Sequence, residues 1–171
     1  MTKLQTSSKQ SRTSRTDSLF NRADKLEDSG NLKAAFRLFL SAAKAGDLGC
    51  QLNVGNYYCG GKGIRRNLSR GLYWYKRAYR RGEASAASNI GMTWRNEGKP
   101  KKALSWFRRA VKIGDDEANL EIAKYYIENE NNPRKAIPHL EKVCRSNWVT
   151  KAGAEEAAKL LKQARKKLKR S

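Results

Sequence analysis

The chain has 171 residues, 39% of them hydrophobic, with four Trp and seven Tyr, which suffices for one domain with a sizeable core and excludes disorder throughout. Its 37 Lys and Arg against 16 Asp and Glu set a formal charge of +21, so anionic surfaces attract it at moderate salt. No apolar run approaches the roughly 18 residues of a membrane span, and the N-terminus lacks an apolar export segment, so a soluble intracellular protein is expected.

Residues 1–17, MTKLQTSSKQSRTSRTD, hold one Leu and no aromatic, too little to offset the entropy of ordering, and read as a disordered basic Ser/Thr-rich tail. The tail is similar in composition to a transit peptide or a bacterial secretion signal, which keeps a secreted effector or an organelle-targeted protein as alternatives. It lacks the amphipathic apolar face, so a cytoplasmic location is preferred. Ser18 suits the N-cap of a first helix from Leu19 to about Asp28, with Gly30 and Asn31 as the turn. A second helix, Leu32 to Ala45, stops at Gly46, and Asp47 caps the next.

From Leu48 a helical run reaches about Cys59, where GGKG at 60–63 supplies conformations that end a helix. Leu68 to Arg81 follows, with Leu72, Tyr75, Ala78 and Tyr79 at helical spacing, and Gly82 closes it. Gly82 with Glu83, and Gly114 with Asp115, repeat the stop-and-cap device. Pro100 opens a helix to about Ile113, where its missing N–H is not needed. Asp116 to Asn129 and a helix after the polar turn NENNP come next, the latter carrying Pro138, which predicts a kink or a delayed start. A last helix, Ala152 to Arg170, has a weak apolar stripe in its first half that suits it to cap a stack, and ends in the charged KQARKKLKRS.

The helices pair into near-copies. Aligning second helices on a small residue makes Ala35, Gly71, Ala103 and Ala136 equivalent, spaced 36, 32 and 33 residues apart. Next to them stand Phe36, Leu72, Leu104 and Ile137. Farther on come Phe39, Tyr75, Phe107 and Leu140, and then Ala42, Ala78, Ala110 and Val143. First helices align as Ala23, Gly55, Gly91 and Ala123, followed by Leu26, Tyr58, Trp94 and Tyr126. A small residue admits a neighbouring helix closely and a bulky one fills the space beside it, so units of this size bury their apolar faces by stacking.

VGNYYCGGKGI followed by GLYWYKRAYRRG resembles the Sel1-like repeat, a relative of the tetratricopeptide repeat, at Val54, Gly55, Tyr58, Gly61, Gly63, Ile64, Trp74, Tyr75, Ala78 and Gly82. Units at about 85–115 and 117–146 lack the GxG turn and resemble plain tetratricopeptide hairpins, and the unit at about 18–47 is weaker still. The resemblance implies an all-α fold, a right-handed α-α superhelix of about four two-helix repeats. Residues 18–150 form the repeat domain on this reading, and residues 151–171 a capping helix with a basic tail.

It also implies that first helices line an inner, peptide-binding groove, with Asp24, Asn53, Asn56, Asn89, Thr93, Glu121 and Lys124 as candidate lining residues. The carboxylate clamp of tetratricopeptide chaperone adaptors is not expected, because Phe20, Asp24, Asn53, Ser85 and Asn89 occupy its places and only Asn53 matches. Secreted cysteine-rich relatives place a cysteine pair in each repeat. Here Cys50, Cys59 and Cys144 are odd in number, and reduced thiols follow, with Cys50 and Cys59 as small core fillers.

No nucleophile elbow, phosphate loop or dinucleotide fingerprint is present, so no catalysis and no cofactor are expected. A metal site is not expected either, since His139 is the sole histidine. Charge is more informative. Lys44, Arg80, Lys112 and Arg145 fall in one column of the second helices and Arg77, Arg109 and Lys142 in another three residues away, so both lie on one helix side. Stacking would align them in two rows along an outer surface, with Arg81 beside them. Two partners fit this pattern: an acidic protein held by a non-catalytic adaptor, or nucleic acid bound with weak sequence specificity. Attraction of KQARKKLKRS to a membrane is disfavoured by its small apolar area. The sequence leaves the oligomeric state open.

Overall fold

Helices account for most of residues 3–169, the part of the chain that the computed structural model describes, with side chains from residue 16 onward; among these residues there are nine helices and no strand. They run α1 (Lys3–Asp28), α2 (Leu32–Ala45), α3 (Leu48–Gly60), α4 (Leu68–Tyr79), α5 (Ala84–Asn96), α6 (Pro100–Lys112), α7 (Ala118–Glu128), α8 (Pro133–Arg145) and α9 (Lys151–Leu168). The chain divides into two compact units, Met1–Glu83 and Ala84–Ser171. Consecutive helices pack in pairs within each unit, and α9 lies against α8 and touches α7. This is the all-α hairpin-repeat architecture that the spacing implies.

One boundary departs widely from expectation. The first helix begins at Lys3 rather than after a Ser18 cap, so the backbone of residues 3–17 is helical where a disordered tail is expected. Between Lys3 and Asp28 there is neither Pro nor Gly to break the helix, and Thr16 is already buried. Residues 1–2 of that segment and Arg170 and Ser171 of the C-terminal tail lie outside the described residues. Pro138 is expected to kink its helix or to delay its start. It delays nothing, because Pro133 takes the first position of α8, Asn132 caps it through Lys135 N at 3.1 Å, and the helix continues through an exposed Pro138.

The aligned columns are the core. Ala42, Ala78, Ala110 and Val143 are fully buried, as are Phe39 and Leu140, with Tyr75 and Phe107 close behind. Small-against-large packing is literal: a Cβ on Gly55 would meet the Tyr75 ring at 2.3 Å, and one on Gly91 would meet the Phe107 ring at 2.5 Å. The same two columns therefore solve the same packing problem in each unit. In unit 1, Gly63 sits at φ +66° with Leu32 Cβ 2.4 Å from where its own Cβ would be, so the GxG turn also seats the α3–α4 hairpin on α2.

Candidate interaction surfaces

In unit 2 the N-terminal ends of α7 and α9 meet α5 around a groove of about 640 Å³. Its floor includes Met92, Phe107 and Leu120, and its wall includes Ser88 and Asn89 from α5. Asp115 starts the rim as a cap, accepting Ala118 N at 3.2 Å, and also accepts the Ser88 hydroxyl at 2.5 Å. The next two carboxylates tie this turn to the α8–α9 loop: Ser146 Oγ donates to Asp116 at 2.6 Å and Thr150 Oγ1 to Glu117 at 2.6 Å. Trp148 N donates in turn to Ser146 Oγ at 3.1 Å. The backbone of Trp148 is thus anchored while its indole stands 86% exposed at the groove.

Three expected groove residues, Asn89, Glu121 and Lys124, meet here. Lys124 bonds Glu156 at 2.8 Å and Glu121 at 3.3 Å, and Glu121 is also paired with Arg95. Burial alone would lower the Lys124 pKa, but these carboxylates outweigh it and raise it, so the ammonium stays charged. Thr93 is buried, its hydroxyl donating to the Asn89 carbonyl of its own helix at 2.7 Å. In unit 1, Asp24 is exposed on α1, Asn53 half-buried on α3, and Asn56 exposed on α3, where its Oδ1 accepts the Tyr75 hydroxyl at 2.5 Å. Sequence reasoning reads Gly114 and Asp115 as a helix stop and cap and passes over Asp116, Glu117, Trp148 and Glu156 as binding residues. The available signal is a run of three acids in a chain of +21.

On the second helices of unit 1, Lys44 and Arg80 are exposed and Arg77 lies 5.5 Å over the Trp74 ring. Arg81 donates to the Gly46 carbonyl, closing the end of α2 as well as adding charge. In unit 2, Arg109 stands 4.5 Å over Trp106, and Lys112, Lys142 and Arg145 are exposed. Among the described residues none of Lys44, Arg77, Arg80, Arg109, Lys112, Lys142 and Arg145 has a carboxylate partner. Each unit by itself presents uncompensated cations.

His139, in the column of Trp74 and Trp106, stacks on Tyr126 with centroids 5.9 Å apart. Its Nδ1 lies 2.9 Å from Asn119 Oδ1, and Asn119 is oriented by donating its own amide to the Asp116 carbonyl, so Nδ1–H is the donor. Burial, then Lys142 and Arg108, lower its pKa. Burial also pushes the Cys50 thiol far up, aided by Asp47, which makes it an unreactive core filler. No described helix is long and apolar enough to cross a membrane.

Over residues 28–47, 49–83 and 85–115 the chain matches the model of the Sel1 repeat, about half of its length. The chain belongs to the Sel1 repeat family. A Sel1 repeat protein from Oxalobacter formigenes is 27% identical to this Sel1 repeat chain with a TM-score of 0.59, over 82% of this chain and 57% of that one. A protective antigen of uropathogenic Escherichia coli with an SLR fold is 18% identical with a TM-score of 0.56, over 78% and 33% of the two chains, and supports the fold alone. An F-box protein of Arabidopsis thaliana is 30% identical over 95 residues, 54% of this chain and 27% of that protein. The chain thus spans about a quarter of the F-box protein and little over half of the Oxalobacter protein. Sel1 repeat proteins are generally protein–protein interaction scaffolds and typically non-catalytic.

Proposed function

We propose that this Sel1 repeat chain is a non-catalytic adaptor whose unit 2 groove docks a protein segment, while the exposed cations of the second helices engage an acidic partner. The groove carries this reading: Asn89, Glu121 and Lys124, from two first helices, share one cavity with an aromatic side chain held open to solvent. Polar groups fix a docked segment's orientation, and a rigidly presented aromatic supplies area at low entropic cost. A cytoplasmic location belongs to the same proposal, supported by Cys50, Cys59 and Cys144, which form no disulfide with one another. A photo-crosslinker at Asn89, with another at Lys112, tests it. Protein adducts that survive nuclease are the expected result, and none at either position overturns it.

The cation–aromatic pairs support a second reading, nucleic-acid binding through the basic face, because Arg109 over Trp106 and Arg77 over Trp74 place charge beside ring faces. It requires affinity for single-stranded RNA that falls steeply with salt, since neutralised phosphates release counterions. Replacing Arg77, Arg80, Arg109 and Lys112 by Glu must then abolish binding.

A further inference from the structure

Charge in this molecule is distributed against its average. The chain carries 16 acids among 37 bases, yet five of those acids, Asp115, Asp116, Glu117, Glu121 and Glu156, line one groove whose sole base is Lys124. Lys124 and Arg95 answer Glu121 and Glu156. Asp115, Asp116 and Glu117 have hydroxyls instead, from Ser88, Ser146 and Thr150, which aim the carboxylates without neutralising them. Among the described residues none of these three has a cationic partner.

Keeping three negative charges in adjacent positions costs stability through their repulsion, a cost that an incoming cation relieves. One of these hydroxyls, that of Ser146, also accepts from Trp148 N, so the 86% exposed Trp148 and an uncompensated carboxylate belong to one hydrogen-bonded assembly. An indole so exposed buries almost nothing for the fold, and Trp is among the residues enriched at interfaces and at their hot spots. A second cavity of about 340 Å³, lined by Glu121, Lys124 and Glu128, continues the cleft along α7, giving it room for an extended segment.

We propose that the unit 2 groove accepts a cationic peptide segment, with Lys or Arg side chains on Asp115, Asp116 and Glu117 and an apolar side chain on Trp148. This rests on the adaptor reading and specifies the docked partner's chemistry. It also separates the protein's two surfaces by sign: the groove takes a basic segment, the outer cations an acidic one. Electrostatic complementarity of this kind selects the partner and speeds encounter, while the buried aromatic slows release.

The test uses the full chain and three labelled synthetic peptides of one length, alternating Arg with Leu, Ser with Leu and Glu with Leu, read by fluorescence anisotropy at low and high salt. Tight, salt-sensitive binding of the Arg–Leu peptide is expected. Asp116→Asn with Glu117→Gln keeps the oxygens that Ser146 and Thr150 bond, so the fold survives, and weakens that peptide about tenfold. Trp148→Ala weakens it by about the same factor or more, whereas Asp28→Asn, on α1, leaves it unchanged. If the Ser–Leu or Glu–Leu peptide binds as tightly, or the groove variants bind the Arg–Leu peptide like the parent, the cationic assignment is overturned while docking itself stands. If no peptide binds, both fall. Self-association that the Arg–Leu peptide does not displace and Trp148→Ala abolishes makes a second copy the occupant, and also overturns the assignment.

Discussion

Two junctions between hairpins begin alike and end differently. At the α2–α3 junction Gly46 ends a helix at φ +106° and Asp47 caps the next through Cys50 N at 2.7 Å; at the α6–α7 junction Gly114 has φ +101° and Asp115 caps through Ala118 N at 3.2 Å. The first continues as Leu48 and Gly49 and receives the Arg81 guanidinium on its Gly46 carbonyl. The second continues as Asp116 and Glu117 and receives hydroxyls from the α8–α9 loop. One folding device thus serves a positive surface in one unit and a negative groove in the other. The neighbours of the cap, Arg81 at the first junction and Asp116 with Glu117 at the second, set the sign.

The comparison breaks hardest in the core, where the two units should be indistinguishable. Phe39 and Phe107 occupy one column and are both almost wholly buried. Phe39→Ala and Phe107→Ala should each cost about 3–5 kcal/mol, the lost transfer free energy plus an unfilled cavity. Urea denaturation followed by circular dichroism measures both. A cost under about 1 kcal/mol for either, the level of a surface change, would show that the column does not carry the packing.

The caps come next. Asp47→Ala and Asp115→Ala should each lose about 1 kcal/mol, and Asp115→Ala somewhat more because the Ser88 hydroxyl loses its acceptor as well. Asn in either place keeps an acceptor oxygen. Asp115→Asn also removes one of three adjacent charges, so it should be the milder of the two Asn changes, and thermal melts of the pair decide it. If Asp47→Asn is the milder, the acids at 115–117 do not repel.

How far the sequence discloses this is itself uneven. Periodicity and small-against-large columns make the repeat legible because packing repeats: Gly55 with Tyr75 and Gly91 with Phe107 are one contact made twice. The length of α1 is not legible, since nothing in residues 3–17 forms an apolar stripe and only the absence of Pro and Gly permits the helix. The groove is half legible. Asn89, Glu121 and Lys124 are reached through the family resemblance, which implies a groove lined by first helices, but Trp148 lies in a loop outside every column, and only hydrogen bonds across about 30 residues of sequence, from Ser146 to Asp116 and Thr150 to Glu117, bring it there. Patterns of period 3.6 carry no information about such ties.

A smaller effect separates the units by pH. The column holding Leu38 and Trp74 in unit 1 holds His139 in unit 2, beside Asn119, Tyr126, Arg108 and Lys142. Its folded pKa lies below the ordinary 6.5, so the unfolded chain takes the proton first. Its contribution to stability is therefore full above about pH 6.5 and declines as pH falls through the lower folded value. Replacing His139 by Leu, its counterpart at position 38, should flatten the pH dependence of urea stability in that window relative to the parent. Equal slopes would mean that His139 is solvated alike in both states.

The smallest effect is the most discriminating. Trp74 is 7% exposed and Trp148 is 86% exposed, so removing each indole asks whether it serves the fold. Trp74→Ala forfeits a large buried area and should cost about 3–5 kcal/mol. Trp148→Ala forfeits almost none, and because the bonds that hold its loop run through the Trp148 backbone, Ser146 and Thr150, they persist in the variant. Its melting should stay within about 0.5 kcal/mol of the parent. A loss of 2 kcal/mol or more would make Trp148 a structural residue and remove the reason for regarding its exposure as a contact surface. An unchanged melt with weakened Arg–Leu binding places its contribution in recognition alone.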